Sequence, residues 1–406
     1  MELEKWTRQI NAYFDERQPE IMAMIERLVN MDSFSADGQD VNKVGEAIVD
    51  WMREAGFRTE KIAKPPVDPD ESWMECLGNV FSARTHSPDD EPGIVFLGHM
   101  DTVFPAGNAA SRPFRVEGDR AYGPGVADMK AGVVANMFAA RALRELGLID
   151  VPMTLMFSPD EELGSPTTTR VYRERLNGAR AVICAEPGFP VGGVTTERRG
   201  SGHFQMRIEG VSAHAGRCYE EGASAVLELA HKIVALDSLV DLEAETIVNT
   251  GLISGGTSAN SVAPWAEARM HITFNTVRAA ERLVEDVRAI ANKTFIPRTS
   301  TRLSGGIRLH PLEYTEDVEK LYGMVERACE GLGGYRVRRN RGTGASEAGF
   351  TASVLRIPSI CSMGPEGTEL HSPREYMTVS TVLPRCKLIA LTALQAAQAF
   401  GPAPRA

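Results

Sequence analysis

Three acids stand in a row at positions 160–162, separated from the apolar run VPMTLMF by Ser158 and Pro159 and from a glycine by Leu163. Asp160, Glu161 and Glu162 repel one another, so a chain that places them at the end of a buried strand needs something there to offset the charge. The same grammar recurs. GIVFLGHMD (93–101) ends in His99 and Asp101, and ARAVICAEPG (179–188) carries Glu186. GPGVADMKAG supplies Asp128, and ELHSPREY near the C-terminus supplies His371. Imidazoles and carboxylates together are the donors that a divalent transition metal, zinc above all, accepts in water-activating sites. Taken singly, His99 reads as a core histidine and Glu161–Glu162 as a solvated turn; the series changes both readings. The histidines at 86, 203, 231, 271 and 310 are read as ordinary.

Charge counting favours two metals over one. Two neutral imidazoles and three ligating carboxylates carry about −3, because His binds metal neutral and carboxylates bind ionised. Two Zn²⁺ and a bridging hydroxide carry +3. A single zinc would leave several carboxylates crowded and unpaired. In two-metal hydrolases the metals lie about 3.5–4 Å apart around a shared nucleophilic water. One carboxylate must then bridge them, and a group that is not a ligand must take the water's proton. Neighbouring side chains of an extended segment point in opposite directions. Of Glu161 and Glu162, therefore, one can bind metal while the other serves as base.

The elements that must position these residues read as follows. The segments 93–101, 151–162 and 179–188 are buried strands, and 128–147 between them is a helix. Strands alternating with helices imply an α/β domain, whose sites form beyond the C-terminal ends of the strands. Residues 202–210, 245–254, 266–276 and 298–306 read as strands, and 220–239 and 279–294 as helices. Their order, β-α-β-β-α-β, is that of a ferredoxin-like unit. The expected organisation is a discontinuous metal-binding domain, residues 1–196 and 309–406, interrupted by an insert at 197–308. The first 29 residues read as one amphipathic helix, 64–76 as a loop or hairpin, and 401–406 as a loose tail.

These blocks resemble the M20 family of zinc aminoacylases and exopeptidases. GHMDTVF, GPGVADMKAGV, PDEELGS, ERRGSGHFQMRIEGVSAHAG, NTGLISGGTSAN and ELHSPREY follow the family's order from about residue 75 to 385. GGIRLHPLE and the wording around SAHAG look most like the carboxypeptidase G2 branch. The resemblance implies a mixed-sheet α/β catalytic domain of zinc exopeptidase type with an inserted ferredoxin-like α+β lid or dimerisation domain. It implies two Zn²⁺, with Mn²⁺ or Co²⁺ as substitutes. One metal would be held by His99, Asp128 and Glu186, the other by Asp128, Glu162 and His371. Glu161 would be the general base and Asp101 the partner that orients His99. The Asp128–Met129 peptide would be cis. His214 would polarise the scissile carbonyl from a second subunit of a homodimer, and Asn260 would face the carboxylate side of the substrate.

The chain also departs from the family. Where the glutamate-cleaving branch carries an arginine for the substrate carboxylate, this chain has Thr273, which cannot replace a bidentate pair. Arg269 and His271 share a strand face with Thr273, and Arg308 is a further candidate cation. Glu347 stands where the family has Asp. The expected function is hydrolysis of an amide bond beside a free carboxylate, in a dipeptide or N-acyl amino acid. The rivals are an acetylornithine deacetylase or succinyl-diaminopimelate desuccinylase-like deacylase, and a non-catalytic amino-acid or peptide binder.

Composition narrows the partners. A net charge of −10 over 406 residues argues against nucleic acid and anionic membrane. No apolar run reaches the ~18 residues of a membrane span. Six scattered cysteines without a C-x-x-C pair suggest reduced thiols. The expected compartment is the cytoplasm, or the periplasm if a leader has been removed. No G-x-S-x-G elbow, phosphate loop or dinucleotide fingerprint occurs.

Overall fold

The computed structural model describes residues 2–67, 69–87 and 90–404. Of the expected loose tail, 405 and 406 lie outside the described residues. The chain divides into two compact units. The first comprises the residues up to Glu197, Glu313–Gly342 and those from Ser346 onward; the second comprises Arg198–Leu312 and Thr343–Ala345.

The first unit is built on a six-stranded mixed sheet, in the order Arg58–Ile62, Val80–Arg84, Met153–Ser158, Ile94–His99, Ala181–Cys184 and Ser359–Ile360. The last four run parallel; Val80–Arg84 runs against them, and Arg58–Ile62 pairs antiparallel with Val80–Arg84 at the edge. Ile94–His99 and Met153–Ser158 are buried at every position, as central parallel strands must be. Helix Ala131–Glu145 packs on Ile94–His99, and helix Gly38–Glu54 on the antiparallel edge. Ala131–Glu145 is rich in alanine and valine and buried along most of its length. Its close approach to the sheet needs Gly132, where a Cβ would lie 1.8 Å from the Ala185 carbonyl oxygen.

Three expectations are corrected. The N-terminal 29 residues form two helices, Glu2–Asp15 and Gln18–Val29. The break falls at Arg17 (φ −105°, ψ 1°), just before Pro19 in the first turn of the second helix. Within 64–76, Pro69–Cys76 forms a kinked 3₁₀ segment. The strand expected over 151–162 ends at Ser158, and Glu161–Leu163 curls into a 3₁₀ turn.

The second unit is a four-stranded antiparallel sheet, in the order Ile247–Gly255, Trp265–Phe274, Gly200–Glu209 and Ser300–Leu309. Helices Ala225–Asp237 and Val277–Asn292 join the strands in the β-α-β-β-α-β order. Alternation puts Phe204, Met206, Ile208, Met270, Ile272 and Phe274 on the helix-covered face. Ser224 and Thr276 cap the two helices through their hydroxyls, accepting from the Leu227 and Ala279 amides. The unit extends to Leu312, whose backbone pairs with Arg198 at 2.9 and 3.1 Å. Glu228 and Lys232, both fully buried, face each other at 3.2 Å one helical turn apart. The Lys232 ammonium donates to the carbonyls of Ile290, Ala291 and Lys293, and Glu228 accepts from the amides of Phe295 and Ile296. The pair therefore ties one helix to the end of the other.

Candidate metal centre

Three parallel strands of the first unit end side by side, and the chemistry sits at their C-terminal ends. His99 closes its strand opposite Ser158. Glu186 follows the neighbouring strand Ala181–Cys184 by two residues. Asp128 lies in the irregular segment Val126–Lys130 that leads into helix Ala131–Glu145. His371 stands on a loop between the short strands Gly367–Thr368 and Tyr376–Thr378.

These residues converge as two triads, His99–Asp128–Glu186 and Asp128–Glu162–His371, each with its donor atoms within 4.8 Å of one another. Asp128 belongs to both. Its Oδ1 lies 3.1 Å from His99 Nε2 and its Oδ2 3.2 Å from His371 Nε2. Glu186 Oε1 is 4.0 Å from His99 Nε2, and Glu162 Oε2 is 3.1 Å from His371 Nε2. The set is two imidazoles and three carboxylates, with one carboxylate presenting a separate oxygen to each side. That composition fits a pair of dications. The Asp128–Met129 peptide is cis.

Electrostatics follow from the crowding. Burial would lower the pKa of His99, but hydrogen bonds to Asp101 and Asp128 hold it well above its ordinary value. His371 is pushed up to about 10 by its bonds to Asp128 and Glu162. Burial acts to raise Asp128, yet the two histidines hold it below the usual carboxylate range. Glu161 is raised well above that range by burial and then by the charge of Glu186. Burial also raises Glu162.

Glu161 belongs to neither triad. Its carboxylate is buried and near enough for its charge to act on His99. The divergence of Glu161 and Glu162 comes from the 3₁₀ turn rather than from an extended strand. Successive residues of such a turn are rotated by about 120°, so adjacent side chains still leave in different directions. Asp101 shapes that turn. Its carboxylate accepts from the amides of Glu161 and Glu162, both at 3.2 Å, and from the Ser35 hydroxyl at 2.6 Å. His99 Nδ1 donates to the Asp101 backbone carbonyl at 3.0 Å, which leaves Nε2 to face Asp128.

Asp160, the third acid of the run, is fully buried and accepts from the Thr167 amide and from the Thr167 and Thr168 hydroxyls. It closes the loop that follows. Glu347 is buried beneath the same loop and accepts from Ser158, Ser165 and Tyr172 hydroxyls, each at 2.9 Å. Burial, with the charge of Asp160, pushes it up to about 7. Sequence reasoning missed Ser35 and the buried Glu375, which accepts from the amides of Gly125, Ala127 and Asp128. The one available signal was an acid four residues after His371 within the same block.

The other expected site residues lie in the second unit. His214 and Asn260 are brought together: the Ala215 amide donates to the Asn260 carbonyl at 3.0 Å, and His214 bridges to Ser261. The His214 side chain is exposed and has no core to serve. Arg269 is exposed beside Glu267, at 3.5 Å. Arg308 sits at a β-bulge of Ser300–Leu309, and strand Gly200–Glu209 separates that strand from the one carrying Arg269. The structure therefore does not pair the two arginines. Thr273, at the place expected for arginine, has its hydroxyl 3.0 Å from His271 Nε2.

The pattern of peptidase family M20/M25/M40 matches residues 95–395. Carboxypeptidase G2 of Pseudomonas sp. (strain RS-16) is 24% identical over 370 residues, covering 90% of this chain and 87% of its own. Among solved structures, aminopeptidase PepT from Bacillus cereus superposes with a TM-score of 0.73 at 19% identity, covering 94% of this chain and 99% of its own. A dinuclear metal-binding M20 peptidase from Bacillus subtilis gives a TM-score of 0.65 at 16% identity, over 94% and 98%. The chain thus belongs to peptidase family M20/M25/M40, and it is a metallopeptidase or amidohydrolase.

Proposed function

We propose that this protein is a dinuclear zinc hydrolase, carboxypeptidase G2-like, that cleaves an amide bond next to a free carboxylate in a dipeptide or N-acyl amino acid. One observation carries the reading. Asp128 offers a separate oxygen to each of two donor triads while Glu161 stands outside both. Ligand roles fall to His99, Asp128, Glu162, Glu186 and His371. Two dications held there would polarise a carbonyl and make a water at the site acidic. Glu161 accepts the proton of the attacking water and delivers it to the leaving amine. Asp101 holds Glu161 in place through the amide and sets the His99 tautomer through its carbonyl.

The assembly proposed is a homodimer in which His214 of the partner subunit polarises the scissile carbonyl. Strand Ile247–Gly255 supports it: it lies at a sheet edge with Leu252 and Ile253 64% and 66% exposed. An apolar edge strand is a template for pairing with another chain. Asn260, Arg269 and Arg308 are proposed to meet the substrate, and the compartment proposed is the cytoplasm. Among the described residues no helix is long and apolar enough to cross a membrane.

Thr273 in place of an arginine favours one second reading, a deacylase of acetylornithine or succinyl-diaminopimelate type. A hydrolysis screen of dipeptides, N-acyl amino acids and acyl-diamines decides between them. Under the first reading, dipeptides and N-acyl amino acids with no second amine turn over, a chelator abolishes the activity, and Zn²⁺, Mn²⁺ or Co²⁺ restores it. Turnover confined to N-acetylornithine or N-succinyl-diaminopimelate, which carry the same carboxylate but also a second amine, would replace the first reading with the second. No hydrolysis together with near-zero bound metal would leave the non-catalytic binder.

A further inference from the structure

We propose that Glu375 is a positioning residue that sets the spacing of the two metal positions by clasping the loop that carries Asp128 to the loop that carries His371. The inference rests on the dinuclear reading above. The two loops spring from paired strands. Arg120–Tyr122 precedes the Asp128 segment, and Tyr376–Thr378 follows the His371 loop; they pair antiparallel, with Tyr122 opposite Tyr376. Glu375 is the residue immediately before that pairing begins. It therefore stands where the two loops part.

Its contacts are one-sided. Oε1 accepts from the amides of Ala127 and Asp128 at 2.8 and 3.0 Å, and Oε2 accepts from the Gly125 amide at 3.1 Å. The side chain is buried, with Glu375 1% exposed. Asp128 (φ −113°, ψ 91°) and Met129 (φ −133°, ψ 36°) have non-helical backbone, so these amides have no regular helical ladder to enter. Buried donors of that kind need a partner, and a carboxylate is a strong one. Gly125, at φ 70°, adopts the left-handed turn that brings its amide round to Glu375.

On the other side, the His371 loop is held mostly by itself. Ser372 donates its amide to the Glu369 carbonyl and Glu375 donates its own to the Ser372 carbonyl, while Arg374 pairs with Glu369 at 2.8 Å. The His371 side chain is 53% exposed. Within 369–375, Glu375 is the fully buried side chain, and Leu370 packs partly buried against the core. A shift of this clasp moves His371 against Asp128. It acts first on the metal position those two share with Glu162.

The test uses full-length protein, Zn²⁺ alone and no substrate. Wild type and Glu375→Gln are dialysed against a graded chelator series, and zinc per chain is measured by mass spectrometry. Gln keeps the shape, but its NH₂ must face backbone N–H donors. Wild type should hold two zinc ions. The variant should release one of them at a chelator concentration about 10- to 100-fold lower, the usual effect of losing a group that orients a ligand. The thermal midpoints of both metal-free proteins are recorded alongside. A variant with a lower midpoint but an unchanged zinc profile has lost only stability, and overturns the inference. So does a variant that is unchanged in both. A wild type holding fewer than two zinc ions overturns the dinuclear reading and this inference with it. Should Glu375→Gln not fold, Glu375→Asp draws the acceptor back by one methylene and is read by the same criteria.

Discussion

Glu347 makes the protein's stability depend on pH in a direction that can be worked out. It is 2% exposed, accepts three hydroxyl hydrogen bonds, and has its pKa pushed from 4.5 to about 7, by burial first and then by the charge of Asp160. Below about pH 4.5 the carboxyl is protonated in both the folded and unfolded chain and contributes nothing to the slope. Between 4.5 and 7 the unfolded chain loses this proton while the folded chain keeps it. The folded state then binds more protons, so stability falls as pH rises. Above 7 the full cost of ionising in place is present, about 3 kcal/mol for this change in pKa. Glu347→Gln removes the titration and keeps the shape, since the surrounding hydroxyls can rotate to donate or accept. Urea unfolding of both proteins from pH 4.5 to 8, at equal metal content, reads the effect. The stability of Glu347→Gln relative to wild type should rise by about 3 kcal/mol across that window. Parallel curves, or a relative fall, would refute a buried carboxyl held protonated at this position.

Lys232→Ala should be among the most damaging changes in the second unit. It leaves the buried Glu228 charge and three carbonyls without their partner, at a cost of about 3–5 kcal/mol read from the urea midpoint. His214→Ala should leave stability and zinc content at wild-type values, because the side chain is exposed. Its kcat should drop about 10²- to 10³-fold, as for the loss of one donor to a developing oxyanion. An unchanged kcat would remove His214 from the proposed chemistry.

The candidate ligands at strand ends were legible because each follows an apolar run, and a parallel sheet brings such strand ends together, whereas the place of His371 leaned on the order of the family's blocks. His99, Glu162 and Glu186 could be read that way from short windows. The direction of Glu161 and Glu162 was legible for a reason that does not hold: period-two alternation belongs to a strand, and Asp160–Gly164 closes a tight turn instead. Asp160 showed no role in sequence because its partners, Thr167 and Thr168, meet it only once the loop folds back. Glu375 was hidden for a larger reason. Its acceptors' work is done on residues about 250 positions away, brought near by a two-strand pairing too short to leave a pattern. The break between the first two helices was marked by Pro19 but overridden by a continuous apolar periodicity.

The proposed mechanism gives adjacent glutamates different jobs, Glu162 at the metal and Glu161 at the water, and Glu161→Gln separates the two. Zinc per chain and kcat are measured on the same preparation, with a substrate found in the hydrolysis screen. Two zinc ions should be retained and kcat should fall by about 10²- to 10⁴-fold, the usual contribution of a positioned general base. A variant that holds two zinc ions and turns over at the wild-type rate would contradict the proposed mechanism.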